Sequence, residues 1–463
     1  MRRGEFLRER QALYRVFPPG MTGGEGAILI QKGRPRWIYA NRISLEILEE
    51  YAGRRSVEQT SREIALRYGI DLATARKDVR ALLEKLERAG FAGTPPALPR
   101  RIPSLSSVFL HITSRCNLSC VHCYYPPTLS RTPDLPGSKI LNLVEECADL
   151  GGTSVAISGG EPLLHADLRR ILPRACERLD VQLLTNGTLI DDEWAAYLAG
   201  LPLSIQVSLD GPTQEINDAV RGSGTFDRTR RAIDRMQAAG LNDRLVLATT
   251  MVKANIPHLE EMTALARELG IPRIRFLPLQ RTGNAARNWG EVGSKRRASA
   301  YRDFYRAVLE APVNERMGLD ISCGLAGFVP FRTEEAGADD LWCPVGRKVS
   351  VTADGKAYPC PLLMNDEYLL GNVHVKSLAQ ILRSRPMARA CRIVAERRTA
   401  IPKCARCLWT DFCQAGCMGL ALDQRGEVWD TDVFCADRKK AYAAAFDKIL
   451  ERASSERSPN GLD

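Results

Sequence analysis

TSRCNLSCVHCYY, running from Thr113 to Tyr125, decides how the rest of this chain is read. It sets Cys116, Cys120 and Cys123 in the spacing C-x-x-x-C-x-x-C, so that three sulfurs can face one inorganic group from a single loop. Thiolates are soft anionic ligands that suit iron in a sulfide cage. Three of them leave one iron of a four-iron cluster without a protein ligand, and an open iron can bind a small molecule. The alternative is a structural zinc knuckle, which wants four closed ligands. A fourth could be His122, but it lies between two of the cysteines and would strain the loop.

Outward from this loop the pattern alternates between apolar runs and amphipathic stretches. Strands are expected at Val108–Thr113, Ser154–Ser158, Val181–Thr185, Leu203–Leu209, Leu245–Val252 and Arg273–Pro278, with helices between them. Repeated strand–helix–strand units imply parallel strands with right-handed crossovers, and six of them suggest an incomplete barrel. In such barrels the chemistry gathers at the C-terminal strand ends. The cysteine loop follows the first strand and so belongs at that mouth. The next three strand ends carry Ser158-Gly159-Gly160-Glu161-Pro162, Thr185-Asn186-Gly187 and Ser208-Leu209-Asp210-Gly211, with Arg221-Gly222 a little further on. Any one of these reads as a turn; four in register at one mouth read as a binding site. Adjacent glycines let a ligand approach the backbone, and Glu161 offers an acceptor.

These motifs together resemble the radical S-adenosylmethionine (SAM) enzymes over most of the stretch from Ser107 to Ala311. Cys116, Cys120 and Cys123 match the cluster-binding signature of that superfamily, and Gly159-Gly160-Glu161-Pro162 matches the motif that holds the SAM amino group. The resemblance implies Asn186 among the SAM contacts and Ser208 and Asp210 near the ribose. It also pairs Arg221 with the SAM carboxylate and sets His122 beside the adenine. The implied chemistry is one-electron cleavage of SAM to methionine and a 5′-deoxyadenosyl radical, which takes hydrogen from an unactivated carbon.

Metal-ligand spacing returns in the C-terminal third. Cys343 is followed by Gly355 and Cys360 (G-x-x-x-x-C), then Cys404, Cys407, Cys413 and Cys417 in C-x-x-C-x5-C-x3-C, then Cys435. A lone C-x-x-C would read as a zinc ribbon. Seven cysteines at these spacings resemble the SPASM domain, which carries two auxiliary 4Fe–4S clusters. By that likeness Cys343, Cys360 and Cys417 bind the first, and Cys404, Cys407, Cys413 and Cys435 bind the second, for three clusters in all. The first then lacks a ligand, for which Cys323 is the candidate. Cys147, Cys176 and Cys391 fall within helical patterns and read as packing residues.

Ahead of the barrel, residues from about Leu13 to Gly93 read as a hairpin over Gly26–Tyr39 followed by helices at Asn41–Tyr51, Ser56–Tyr68 and Asp71–Ala89. Ser56 with Gln59 forms a capping-box pattern. The helix pair suits a winged DNA-binding motif, but with the hairpin the unit resembles the PqqD-like peptide-recognition domains, which pair a sheet edge with a leader peptide. TPPALPRRIP, Thr94 to Pro103, is a stiff proline-rich linker.

The fold expected is therefore α/β: a partial (β/α)6 barrel, a small N-terminal α+β winged-helix-like domain and a C-terminal iron–sulfur SPASM domain. The expected divisions are 1–93, a linker over 94–106, 107–315, 316–440, and a C-terminal helix and tail over 441–463. Across 463 residues the chain is 44% hydrophobic and 26% charged, an ordinary globular balance. No apolar run is long enough to span a bilayer, and the basic N-terminus lacks the apolar core of a secretion signal, so a cytoplasmic location is expected. In that reducing compartment its 14 cysteines are expected as ligands or buried thiols rather than disulfides.

The leading expectation is a peptide-modifying radical SAM enzyme. Its partners are a ribosomally made precursor, whose leader docks on the N-terminal unit, and an electron donor such as flavodoxin or ferredoxin. No membrane or nucleic-acid partner is expected, although a formal net charge of +10 permits an acidic one. Alternatives within catalysis are redox-cofactor synthesis of the PqqE or mycofactocin type and tetrapyrrole modification. Sulfatase maturation is disfavoured, since Pro361-Leu362-Leu363 follows Cys360 where that family has an aspartate base. From another class, an iron–sulfur DNA-binding redox sensor fits the helix pair but leaves Glu161 and Arg221 without a purpose.

Overall fold

The computed structural model describes residues 14–17, 27–31, 37–52, 55–88, 105–125, 133–293, 320–323 and 343–455. The linker expected at Thr94–Pro103 lies outside them.

The N-terminal unit is a three-stranded antiparallel sheet, β1 (Tyr14–Phe17), β2 (Ala27–Gln31) and β3 (Trp37–Ala40), followed by α1 (Arg42–Ala52), α2 (Val57–Tyr68) and α3 (Leu72–Arg88). The capping box at Ser56 forms as the sequence implies: its hydroxyl accepts from the Gln59 backbone, and the Gln59 side chain accepts in return from Ser56 N–H. Side chains alternate across each strand. Leu29, Ile38 and Ala40 therefore pack on the helices with Ile47, Ile64 and Val79. The opposite face carries Ile28, Ile30, Trp37 and Tyr39, which bury against Trp409, Phe412, Tyr442 and Phe446 of the C-terminal region. The small domain is thus seated on the C-terminal region through an aromatic layer, with Trp409 stacked on Phe446 at 5.3 Å and Trp37 edge-on to Phe446 at 5.4 Å.

The central body contains the six expected strands: β4 (Ser107–His111), β5 (Ser154–Ser158), β6 (Asp180–Thr185), β7 (Leu203–Ser208), β8 (Leu245–Met251) and β9 (Arg273–Pro278). Between them run α4 (Gly137–Asp149), α5 (Leu168–Cys176), α6 (Asp192–Ala199), α7 (Gln214–Arg221), α8 (Thr225–Ala238) and α9 (Leu259–Glu268), and β9 is followed by α10 (Gly283–Arg287) and α11 (Trp289–Val292). Two further strands join in parallel: β10 (Asp320–Cys323) beside β9, and β11 (Lys348–Val351) beside β4. Antiparallel β12 (Lys356–Tyr358) and β13 (Gly371–Asn372) complete a ten-stranded sheet. The C-terminal strands are thereby continuous with the barrel.

This sheet curls. Six inter-strand steps separate β9 from β11, about 29 Å in a flat sheet at ~4.8 Å per strand. Yet Lys348 on β11 feels the charge of Arg275 on β9, which requires these two strands to approach each other across the barrel.

The C-terminal region continues as α12 (Leu378–Leu382), α13 (Arg385–Ala400), α14 (Pro402–Ala405), α15 (Thr410–Cys413), α16 (Met418–Arg425) and α17 (Cys435–Ser455). Among the described residues no helix is long and apolar enough to cross a membrane.

Candidate functional site

Three groups of thiols occupy three places. In the first, Cys116, Cys120 and Cys123 share the loop after β4 and lie within electrostatic reach of one another, Cys116 exposed and the other two half-buried. The loop is held from several sides. Val121 N–H donates to Val220 O at 3.0 Å, Asn284 N–H to Cys123 O at 2.8 Å, and the side-chain amides of Asn284 and Asn288 to Cys120 O and Val121 O at 3.1 and 3.0 Å. Gly283, at φ +58°, lets α10 lie directly on the loop, since a Cβ there would strike Cys123 O and Tyr125 O. Nothing in the sequence marked these residues beyond the i, i+4 spacing of Asn284 and Asn288.

The glycine pair after β5 serves the same loop. Gly160 N–H donates to Thr113 O and Glu161 N–H to Arg115 O, each at 2.8 Å. A Cβ on Gly159 or Gly160 would collide with the backbone at Thr113 or Arg115. What approaches these glycines within the chain is the start of the cysteine loop, not only the ligand anticipated from sequence.

Glu161 is fully buried. Its Oε1 accepts from Leu163 N–H at 3.1 Å and Thr185 Oγ1 at 2.7 Å, and Oε2 from Asn186 N–H at 2.8 Å. An ionised carboxylate offers about four acceptor sites, so about one remains, on Oε2. Burial pushes the carboxyl up to about 7, against the pull of those donors and of Arg221. The Asn186 side chain is taken up by Asn117 and Thr188. Ser208, half-buried, ends β7.

Asp210, His122 and Arg221 form one buried unit. Asp210 Oδ2 stands 2.7 Å from Arg221 Nε and 3.1 Å from His122 Nε2, while Oδ1 accepts from Thr250 N–H at 2.6 Å. Asn217 and Asn255 fix its backbone, accepting from its N–H and donating to its carbonyl, each at 2.9 Å. With its oxygens so engaged, Asp210 is foremost a partner for Arg221 and His122, a role the ribose expectation did not contain. Burial lowers the His122 pKa against the pull of Asp210, so the ring is held neutral. An aromatic wall of Tyr124, Tyr125 and His111 backs the loop, with His111 stacked on Tyr125 at 4.9 Å and its Nε2 2.9 Å from the Tyr124 hydroxyl.

The second group joins Cys343, Cys360 and Cys417: on top of the larger effect of burial, Cys417 and Cys343 push the Cys360 thiol up, and Cys343 pushes Cys417 up. Gly419 lets the turn after Cys417 pack on Leu362 beside Cys360. The third group is Cys404, Cys407, Cys413 and Cys435, lining one cavity with Lys403 and Arg438. Burial pushes the Cys404 thiol up to about 12, and Cys413, Cys435 and Cys407 push the same way. Thiols so crowded lose their protons only to strongly electropositive metal centres. Cys323 ends β10, and its side-chain surroundings lie outside the described residues. Cys147 packs in the barrel core, and Cys176 and Cys391 pack against it.

Among the described residues no three His, Cys, Asp or Glu side chains converge tightly enough for a single metal ion. An iron–sulfur cage spaces its ligand sulfurs further apart than one zinc does. Soft donors in groups of three, three and four, flanked by buried arginines, fit such clusters.

Comparison with known proteins agrees with this layout. Residues 110–266 match the model of the radical SAM superfamily, 343–408 that of an iron–sulfur cluster-binding domain (SPASM), and 26–92 that of coenzyme PQQ synthesis protein D. These matches bear out the resemblances drawn from sequence. The mycofactocin maturase MftC of Mycobacterium ulcerans is 31% identical over 322 residues, 67% of this chain and 84% of that protein. Among solved structures, native anSMEcpe with bound AdoMet aligns at TM-score 0.62 and 19% identity, covering 76% of this chain and 100% of that one. SuiB of Streptococcus suis bound to S-adenosylmethionine aligns at 0.60 and 19%, covering 91% and 98%.

Proposed function

Because this chain belongs to the radical SAM superfamily, we propose that it is a peptide maturase that cleaves SAM reductively and removes hydrogen from a residue of a ribosomally made precursor. The observation that carries this reading is the union of an open thiol trio, a buried carboxylate and a buried Arg–Asp–His unit at one barrel mouth, in a chain that begins with a PqqD-like domain. Cys116, Cys120 and Cys123 would hold a four-iron cluster, which when bound would supply the electron for splitting the SAM sulfonium.

The protein's own contribution is placement and exclusion. Glu161 receives the SAM ammonium on its remaining acceptor site. Arg221, oriented by Asp210, faces the carboxylate, and neutral His122 offers a flat apolar surface to the adenine. Asn186 and Ser208 close the nucleoside side. His111, Tyr124 and Tyr125 keep water from behind the loop. The other thiol groups would hold two auxiliary four-iron clusters, for three in all, which would exchange electrons with a flavodoxin- or ferredoxin-class donor in the reducing cytoplasm. Cys323 is the proposed fourth ligand of the first.

The N-terminal domain, residues 1–93, takes the leader peptide along a sheet edge, preceding a linker (94–106), the barrel (107–315), the auxiliary-cluster domain (316–440) and the tail. A nucleic-acid surface finds less support, since three arginines of the helix pair are engaged by carboxylates: Arg76 with Glu58 at 2.7 Å, Arg67 with Glu50 at 2.6 Å and Arg62 with Glu58 at 3.4 Å. The name of the mycobacterial relative favours, as a second reading, a precursor destined to become a redox cofactor. Co-expression with a short peptide encoded by any reading frame that neighbours its gene tests both. A peptide that has lost hydrogen, by mass spectrometry, is expected. An unchanged peptide alongside active SAM cleavage rules out that substrate class.

Glu161 also sets a pH dependence. Its folded pKa is raised from 4.5 to about 7. The stability it contributes is complete below 4.5 and lost as pH rises through about 7, where the buried carboxylate ionises alone. A bound ammonium reverses that penalty. SAM affinity, measured by equilibrium dialysis, should therefore fall about tenfold per pH unit below about 7 and level off above it. Glu161→Gln should flatten the profile; an unaltered profile would detach Glu161 from the amino group.

A further inference from the structure

None of these roles uses Arg397. It lies on α13 with 1% of its surface exposed. Its Nε donates to Val428 O at 2.6 Å, Nη1 to Gly416 O at 2.7 Å and Nη2 to Asp430 O at 2.7 Å. All three acceptors are neutral carbonyls. The neighbouring carboxylates are committed elsewhere: Asp432 to Arg438 at 2.6 Å, Asp430 to Lys403 at 2.5 Å and Asp411 to Arg398 at 3.5 Å. Arginine does not shed its charge, and a buried cation without an anion is strongly unfavourable.

Sulfur, with the shared Asp432 carboxylate, stands where a dedicated anion should be. The charge of Arg397 reaches Cys417 and Cys343 of one thiol group, then the Asp432 carboxylate, whose hydrogen-bonded partner is Arg438, and then Cys404 of the other group. A second bridge runs alongside: Cys417 N–H donates to Asp432 Oδ2 at 2.7 Å, Asp432 Oδ1 takes Arg438, and Arg438 hydrogen-bonds Cys413. Gly416 sits where the two bridges meet. Its carbonyl takes Arg397, and at φ +75° a Cβ would run into Arg438 and Asp432. Two guanidinium groups and one carboxylate leave the junction with one buried positive charge in excess.

We infer that Arg397 is the shared counter-cation of the two auxiliary iron–sulfur clusters and raises the reduction potential of both. The inference rests on the reading of those thiol groups as cluster ligands. Reduction adds one electron, supplied by an external one-electron donor, and with it one negative charge. A fixed cation in a low-dielectric junction favours the reduced state, since net charge and hydrogen bonding set cluster potentials. The charge lies between the two groups, so both clusters feel it, while the cation that acts on the thiols of the radical-generating loop is Arg221.

The test is a potentiometric titration, followed by electron paramagnetic resonance, of the full-length reconstituted protein, Arg397→Gln and Arg397→Lys. In Arg397→Gln both auxiliary midpoints should move to more negative potentials with the radical cluster unmoved; in Arg397→Lys they should stay near wild type. Auxiliary clusters lost in the glutamine variant but retained at wild-type potentials with lysine would equally support a charge role. Unmoved midpoints in Arg397→Gln, a shift confined to one cluster, or the same shift or loss in both variants would overturn it, the last marking a scaffold residue. Wild-type protein without auxiliary signals would instead fail the ligand reading itself, and the inference with it.

Discussion

Exchanging Cys116, Cys120 and Cys123 together for alanine should abolish release of 5′-deoxyadenosine from SAM under dithionite while leaving the fold intact. Total iron should drop from about twelve to about eight per chain, one four-iron cluster out of three. The fold should survive because the loop is not held by its sulfurs. Asn284 and Asn288 clamp its carbonyls, and Gly160 and Glu161 bond to its opening residues. The thiols removed are exposed or half-buried, so little core packing goes with them. The other two thiol groups rest on elements from Cys343 onward and should keep their iron. Retained SAM cleavage would remove the trio from the chemistry. Loss of iron from all three places would mean that the groups are not independent.

Much of this architecture was open to a reading of the residues. The six barrel strands sit within a residue or two of the apolar runs that announced them, because strands in a parallel sheet are buried on both faces and read as near-continuous hydrophobic segments. The cysteine spacings were equally legible, since a loop that ligates a cluster cannot vary them freely. Other features had weaker signals. KVSV, which forms β11, is four residues long and carries no period that separates it from a loop. Helix α7 follows a strand end already occupied by a turn motif, so its polar face merged with the loop.

The seating of the N-terminal sheet was present but unread. AILIQ and WIYA are apolar at odd and even positions alike, which means two buried faces rather than one. Its consequence is practical. Cutting the chain at the proline linker would bare Trp409, Phe412 and Phe446 next to Cys407 and Cys413, so leader docking is better tested by point changes in the intact chain. Asp432 and Arg438 bracket Cys435 at three residues on either side, Asp432 just before α17 and Arg438 in its first turn. Asn217, Asn255 and Thr250 had no such mark, because they act by holding Asp210 rather than by any chemistry of their own.

That holding gives the second large effect. Asp210→Asn should cost about 3–5 kcal/mol, the usual penalty for removing one partner of a buried ion pair. Asp210 is fully buried and Arg221 nearly so. An asparagine can still accept from Thr250 N–H through its oxygen, but its amide then points hydrogens at Arg221 Nε and toward His122. A cation pairing at 2.7 Å becomes a donor facing a donor, with the arginine charge uncompensated. SAM affinity should fall with stability, since an unanchored Arg221 no longer presents its charge at a fixed place. The double variant Asp210→Asn with Arg221→Met separates the two effects. It removes the stranded cation, so thermal stability should recover by about 0.5–3 kcal/mol relative to Asp210→Asn alone, the range of coupling for contacting residues, while SAM binding should not recover. If Asp210→Asn melted like wild type and bound SAM equally well, the buried unit would not be what positions Arg221.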